Sequence, residues 1–147
     1  MALRGKATVE VTAGVKRGFE EESFDGFTFG NAQKFLNRTV KYLYIGVYED
    51  VALRKYFKGC DCPIDSSIID CVIDDLNGLN DGEFEKLVRI GRGKGWKGQL
   101  SGKWSPWSKI KSEDYKELQD IIRCLCQNRE EACYPIEYDC SKWGAGA

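Results

Sequence analysis

Three sets of residues have the types and spacings to do chemistry: seven cysteines, 23 carboxylates, and a run of cations and tryptophans between Lys86 and Ser112. The cysteines fall into two groups, Cys60, Cys62 and Cys71, then Cys124, Cys126, Cys133 and Cys140. Four thiols in the second group would be enough for a tetrahedral zinc site. Structural zinc sites, however, present paired Cys-x-x-Cys knuckles, and here the intervals are one, six and six residues. An odd number of thiols cannot all pair within one chain, and a reducing compartment keeps them as thiols. The residues therefore read as small buried hydrophobes, and no metal or other cofactor is expected.

Nucleophilic catalysis lacks its usual base. The chain has no histidine, so neither a Ser-His nor a Cys-His pair can be assembled, and a cysteine nucleophile would depend on Lys or Arg alone to lower its pKa. A carboxylate pair could act as acid and base, but spacing singles out none of the 23 acids. The expectation is a protein that is not an enzyme and takes no small-molecule substrate.

The run from Lys86 to Ser112 holds eight Lys or Arg, no Asp or Glu, and three of the four tryptophans. Taking those eight from the 22 basic residues leaves 14 against 23 acidic ones, a net of −9 on the remainder. The charge is segregated. Gly93-Lys94-Gly95-Trp96-Lys97-Gly98 has the letters of a dinucleotide fingerprint, but that motif needs a strand before it and a helix N-terminus after it. Here the pattern predicts a helix before and none after. No Gly-Lys-Ser or Gly-Lys-Thr is present for a P-loop.

A helix, a turn, a second helix and a basic hairpin is also the order of elements in a winged helix. Asp70, Asp74, Asp75, Asp81, Glu83 and Glu85 would then lie against phosphates and repel them. What remains is a set of cations interleaved with rings, suited to an anionic partner surface or to stacking on unpaired bases. The candidate partner-binding residues are Arg89, Arg92, Lys94, Trp96, Lys97, Lys103, Trp104 and Trp107.

Trp104-Ser105-Pro106-Trp107-Ser108 resembles the Trp-Ser-x-Trp-Ser core of thrombospondin type 1 repeats. The likeness covers five residues, and the closely spaced cysteines with which those repeats continue are absent after Ser108. Neither their fold nor their activity carries over.

The elements that position these residues read as an α+β, helix-dominated single domain with about four helices, an N-terminal strand and a short β-hairpin. At 147 residues the chain has room for one core. Ala7, Val9 and Val11 alternate with Thr8, Glu10 and Thr12, the period of a half-buried strand, and a glycine-broken, phenylalanine-rich loop follows to residue 30. The helical part spans 31–91. Leu36, Val40, Leu43, Val47 and Val51 lay one apolar stripe along a helix that Asn31 would cap, while the β-branched and aromatic run 39–48 also suits a strand.

Ile68, Ile69, Val72, Ile73 and Leu76 form the face of a second helix. Asn80 with Glu83 opens a third that carries Phe84, Leu87 and Val88. Glycines and Pro106 exclude helix from 92–111, where a β-hairpin over Trp96 to Ile110 turns near Gly102. Residues 112–147 comprise a helix with Tyr115, Leu118, Ile121, Ile122 and Leu125 on one face, then an irregular cysteine-containing tail.

No apolar run approaches the roughly 20 residues that span a bilayer, and from the polar N-terminus no secretory signal is expected. No membrane role is expected, and a cytoplasmic or virion-associated location is. The function that fits is an interaction or assembly protein, such as a viral or phage structural or accessory component, docking an anionic surface of another protein or of a second copy. Single-stranded nucleic-acid binding through the same residues is the alternative.

Overall fold

The computed structural model describes residues 10–18, 26–88, 102–129 and 133–143, and among them every regular element is a helix. α1 covers residues 10–18. α2 is Phe29–Gly46, and the short α3, Val51–Arg54, runs into a 3-10 turn at Lys55–Gly59. α4 is Ser66–Gly78 and α5 is Asp81–Val88; a second 3-10 turn, Trp107–Lys109, precedes α6, Ser112–Gln127, and α7, Pro135–Trp143.

The expected N-terminal strand and β-hairpin are therefore corrected: the described residues contain no strand. Residues 10–13 are helical, and 6–9 lie outside the described residues. The strand reading turned Val11 inward and Thr12 outward, whereas Val11 is 52% exposed and Thr12 is fully buried. A strand satisfies its backbone only through a neighbouring strand; without one, the helix closes those hydrogen bonds locally.

In the hairpin region, residues 96–101 lie outside the described residues. Residues 102–110 make a turn at Gly102, whose φ of 77° favours glycine, and then the 3-10 turn at Trp107. Side chains anchor this segment: Trp104 and Ile110 are buried in the helical core. The tail expected to be irregular forms α7. Pro135 starts it, where a missing N–H costs nothing, and the Glu137 carboxylate accepts from the Tyr134 N–H at 2.6 Å.

The starts of α2, α4 and α5 are written in side chains that accept from an early amide. Asp65 accepts from the Ile68 N–H at 3.1 Å to open α4, and Asn80 accepts from the Glu83 N–H at 2.9 Å to open α5. α2 begins earlier than expected, because Thr28, not Asn31, is its cap; Thr28 Oγ1 accepts from the Asn31 N–H at 3.1 Å.

The core forms where the apolar faces of α4 (Ile68, Val72, Leu76), α5 (Phe84, Leu87) and α6 (Tyr115, Leu118, Ile121, Ile122, Leu125) meet, with Trp104 and Tyr138 joining them. Burying a side chain of this size contributes about 1.5–3 kcal/mol each, so these faces dominate the stability of the fold.

α2 departs from that pattern. Its buried residues are Gly30, Ala32, Gln33, Asn37 and Tyr44, whereas Leu43 and Val51 of the predicted apolar stripe are 60% and 70% exposed. The reason is what α2 packs against. Residues 61–64, Asp61-Cys62-Pro63-Ile64, are buried yet belong to no helix, so their peptide groups need partners that a leucine face cannot supply. Gln33 and, from α6, Gln119 supply them.

Candidate functional site

The buried segment is held by two glutamine carboxamides acting as peptide groups. Gln119 Oε1 accepts from the Cys62 N–H at 3.0 Å while its Nε2 donates to the Cys62 carbonyl at 2.6 Å. Gln33 does the same two residues on, accepting from the Ile64 N–H at 3.1 Å and donating to the Ile64 carbonyl at 2.6 Å. Pro63, between them, has no N–H to satisfy. Asp61 is held by the Tyr115 hydroxyl at 2.9 Å and by Arg123, and the Tyr115 oxygen accepts from Asn37 Nδ2 at 2.8 Å. Burial beside Asp61 pushes the Tyr115 hydroxyl well above its usual pKa, so it serves as a neutral donor.

Because its polar side faces inward, α2 presents rings and aliphatic side chains outward. Phe35, Tyr42, Leu43 and Ile45 are exposed on α2, and Tyr48, Val51, Leu53 and Tyr56 continue the strip across the turn, α3 and the 3-10 turn after it. Cations lie on this strip: Arg54 is 5.2 Å from the Tyr48 ring centroid and Lys55 Nζ is 5.5 Å from that of Tyr56. Glu49 and Asp50 are exposed in the turn between α2 and α3, and Asp50 also caps α3 by accepting from the Ala52 and Leu53 amides.

The N-terminal half of the same face borders a cleft of about 380 Å³. Its walls are the rings of Phe35, Tyr42 and Trp107, the cations Lys34 and Arg38, and the polar Asn31 and Thr39; among the described residues no carboxylate lines it. Trp107 is brought there by close approach of backbones, since a Cβ at Gly30 would stand 2.0 Å from the Trp107 carbonyl oxygen. The Thr28 hydroxyl donates to the Ser108 carbonyl and ties the two elements further. Lys34 Nζ lies 4.1 Å from the Trp107 ring centroid. Lys34 and Arg38 share one carboxylate oxygen of Asp65, each at 3.5 Å. Two cations on one acid leave a positive charge over at the cleft.

Of the residues singled out from the sequence, Trp107 lines this cleft. Trp104 is buried, with its Nε1 donating to Glu117 at 3.0 Å, and Lys103 is ion-paired to the other oxygen of Glu117 while its ammonium lies 4.5 Å from the Trp104 ring centroid. Arg89, Arg92, Lys94, Trp96 and Lys97 lie outside the described residues. The sequence reading missed Lys34, Phe35, Arg38 and Tyr42. Their signal was available as Gln33 and Asn37, polar residues one turn apart on a helix whose opposite side carries the rings.

The described cysteines form no disulfide with one another. Burial pushes the Cys62 thiol well up, and burial with the neighbouring Cys133 thiol pushes up Cys126, so neither is a thiolate near neutral pH. Among the described residues no group of three or more Cys, Asp or Glu side chains is placed to hold a metal ion, and no helix is long and apolar enough to cross a membrane. Comparison with known proteins gives no match: no family model, no curated protein and no solved structure resembles the chain.

Proposed function

We propose that this protein is a non-enzymatic assembly protein that self-associates through the outer face of α2, α3 and the 3-10 turn after it. The observation that carries the reading is the strip of eight large apolar side chains from Phe35 to Tyr56, each 45% exposed or more. A face this apolar is costly to leave in water. At roughly 200 Å² for a fully exposed large side chain, the strip offers on the order of 1,000 Å², and a standard interface takes about 800 Å² from each partner.

A second copy fits because the face is self-complementary in charge. The exposed acidic pair Glu49-Asp50 comes just before the cations Arg54, Lys55 and Lys58 in the chain. A two-fold arrangement, in which each copy offers the same patch, brings the acids of one copy to the cations of the other. Analytical ultracentrifugation over a wide concentration range tests this. The wild type is expected to populate a dimer, and the double variant Leu43→Lys/Tyr56→Lys to sediment as a monomer with an unchanged circular dichroism spectrum. A wild type that stays monomeric at the highest concentration reached would sink the reading.

A further inference from the structure

The cleft between α2 and the Trp107 turn shares Phe35 and Tyr42 with the proposed assembly strip but adds cations and Trp107, so a ligand held there and a second copy compete for those two rings. We infer that the cleft binds one nucleotide unit of a single-stranded nucleic acid, the base against the rings of Tyr42, Phe35 and Trp107 and the phosphate toward Lys34 and Arg38.

The argument begins with charge. Asp65 balances one of the two cations, and with no carboxylate among the described residues of the walls the cleft favours an anion. A carboxylate would satisfy that charge but leave the rings facing water. Tyr42 is 69% exposed and Phe35 56% exposed, so both present ring surface that an aliphatic or acidic peptide side chain covers poorly and a planar base covers well. Lys34 Nζ lies over the Trp107 ring, 4.1 Å from its centroid, so the indole fixes the cation in the cleft wall while Tyr42 and Phe35 supply the open ring surface. A volume of about 380 Å³ lies within the range of small-ligand clefts and accommodates a single nucleotide unit. The cleft is open to solvent and the Arg38 side chain is 41% exposed, so a strand can reach it. Duplex bases are stacked on each other and cannot offer a face to these rings.

The test is fluorescence anisotropy of a labelled single-stranded oligonucleotide at low salt, with the same oligonucleotide unlabelled, its duplex, uridine monophosphate and poly-glutamate as competitors. The expected result is binding by the wild type, weakened about tenfold in Tyr42→Ala, the loss of one stacking ring. In Arg38→Gln the salt dependence is expected to become shallower by about 0.7 in log–log slope, the share of one phosphate contact on a single strand. Both positions are surface residues, and circular dichroism checks that each variant is folded. Competition by the monophosphate that is weaker than the oligonucleotide's supports the strand form. Absence of binding at low salt, equal affinity of Tyr42→Ala and wild type, equal or better competition by the monophosphate, the duplex or poly-glutamate would each overturn the inference. Sedimentation of the same samples keeps this outcome separate from that of self-association.

Discussion

Gln33 pairs with Ile64 as one peptide group pairs with another in a sheet, its carboxamide accepting from the Ile64 N–H at 3.1 Å and donating to the Ile64 carbonyl at 2.6 Å. Both residues are fully buried. This pairing lets a segment without secondary structure cross the interior, and it turns the polar side of α2 inward. The apolar outer strip is its consequence.

Replacing Gln33 with Leu or Met keeps most of the volume and leaves two buried backbone groups of Ile64 without partners. At about 1–3 kcal/mol for each orphaned group, a loss of roughly 2–5 kcal/mol is expected. Gln33→Glu is expected to destabilise as well, because it removes the donor. Urea unfolding monitored by circular dichroism measures both, and stability within about 0.5 kcal/mol of wild type for Gln33→Leu would show that the pairing contributes little.

Arg123 and Asp61 form the charged end of the same network. The Asp61 side chain is 1% exposed, and Arg123→Ala leaves its carboxylate buried with the Tyr115 hydroxyl. Breaking a buried pair from one side costs about 3–5 kcal/mol, and neutralising the carboxylate that has lost its cation recovers part of it. The double variant Arg123→Ala/Asp61→Asn is therefore expected to be more stable than Arg123→Ala alone in the same unfolding assay.

Leu43 and Tyr44 are neighbours in sequence with opposite roles. Tyr44 is 1% exposed and meets Phe57 edge-on, with ring centroids 5.4 Å apart, and its hydroxyl donates to Glu137. Tyr44→Ala is expected to lose about 3–5 kcal/mol, as large aromatic truncations in cores do, whereas Leu43→Lys is expected to stay within about 0.5 kcal/mol of wild type. Thermal melts of the two variants, at a concentration where wild type is monomeric, make the comparison.

Stability is expected to fall at alkaline pH. Burial, reinforced by carboxylate hydrogen-bond acceptors, pushes up the hydroxyls of Tyr44 (Glu137) and Tyr138 (Asp75), and burial beside Asp61 pushes up Tyr115. A pKa raised in the folded state means the unfolded chain loses its proton first, so the stability is fully present below the unfolded value of about 10 and is lost as pH rises above it. Urea midpoints at pH 9 and 11 read the effect, and the share of tyrosinate absorbance that belongs to the three buried hydroxyls should appear together with unfolding. Identical midpoints at the two pH values would contradict it.

Much of the fold was legible residue by residue. The faces Ile68-Val72-Leu76 and Tyr115-Leu118-Ile121-Ile122-Leu125 are buried as their spacing predicts, because apolar side chains at helical period have one place to go. Asn80 opens α5 for an equally local reason. The N-terminal strand and the hairpin failed because strand pairing is a relation between distant segments, which local alternation cannot supply. Pro135 and Glu137, which open α7, were present in the tail that read as irregular.

By itself the sequence determined the core helices, since helix hydrogen bonds and apolar periodicity close within a few turns. It also singled out Trp107. The tertiary structure decided the orientation of α2 and the cleft that Trp107 lines. Burial of residues 61–64 is a long-range event, and only once that segment lies inside do Gln33 and Asn37 gain more from facing inward than Phe35, Tyr42 and Leu43 do.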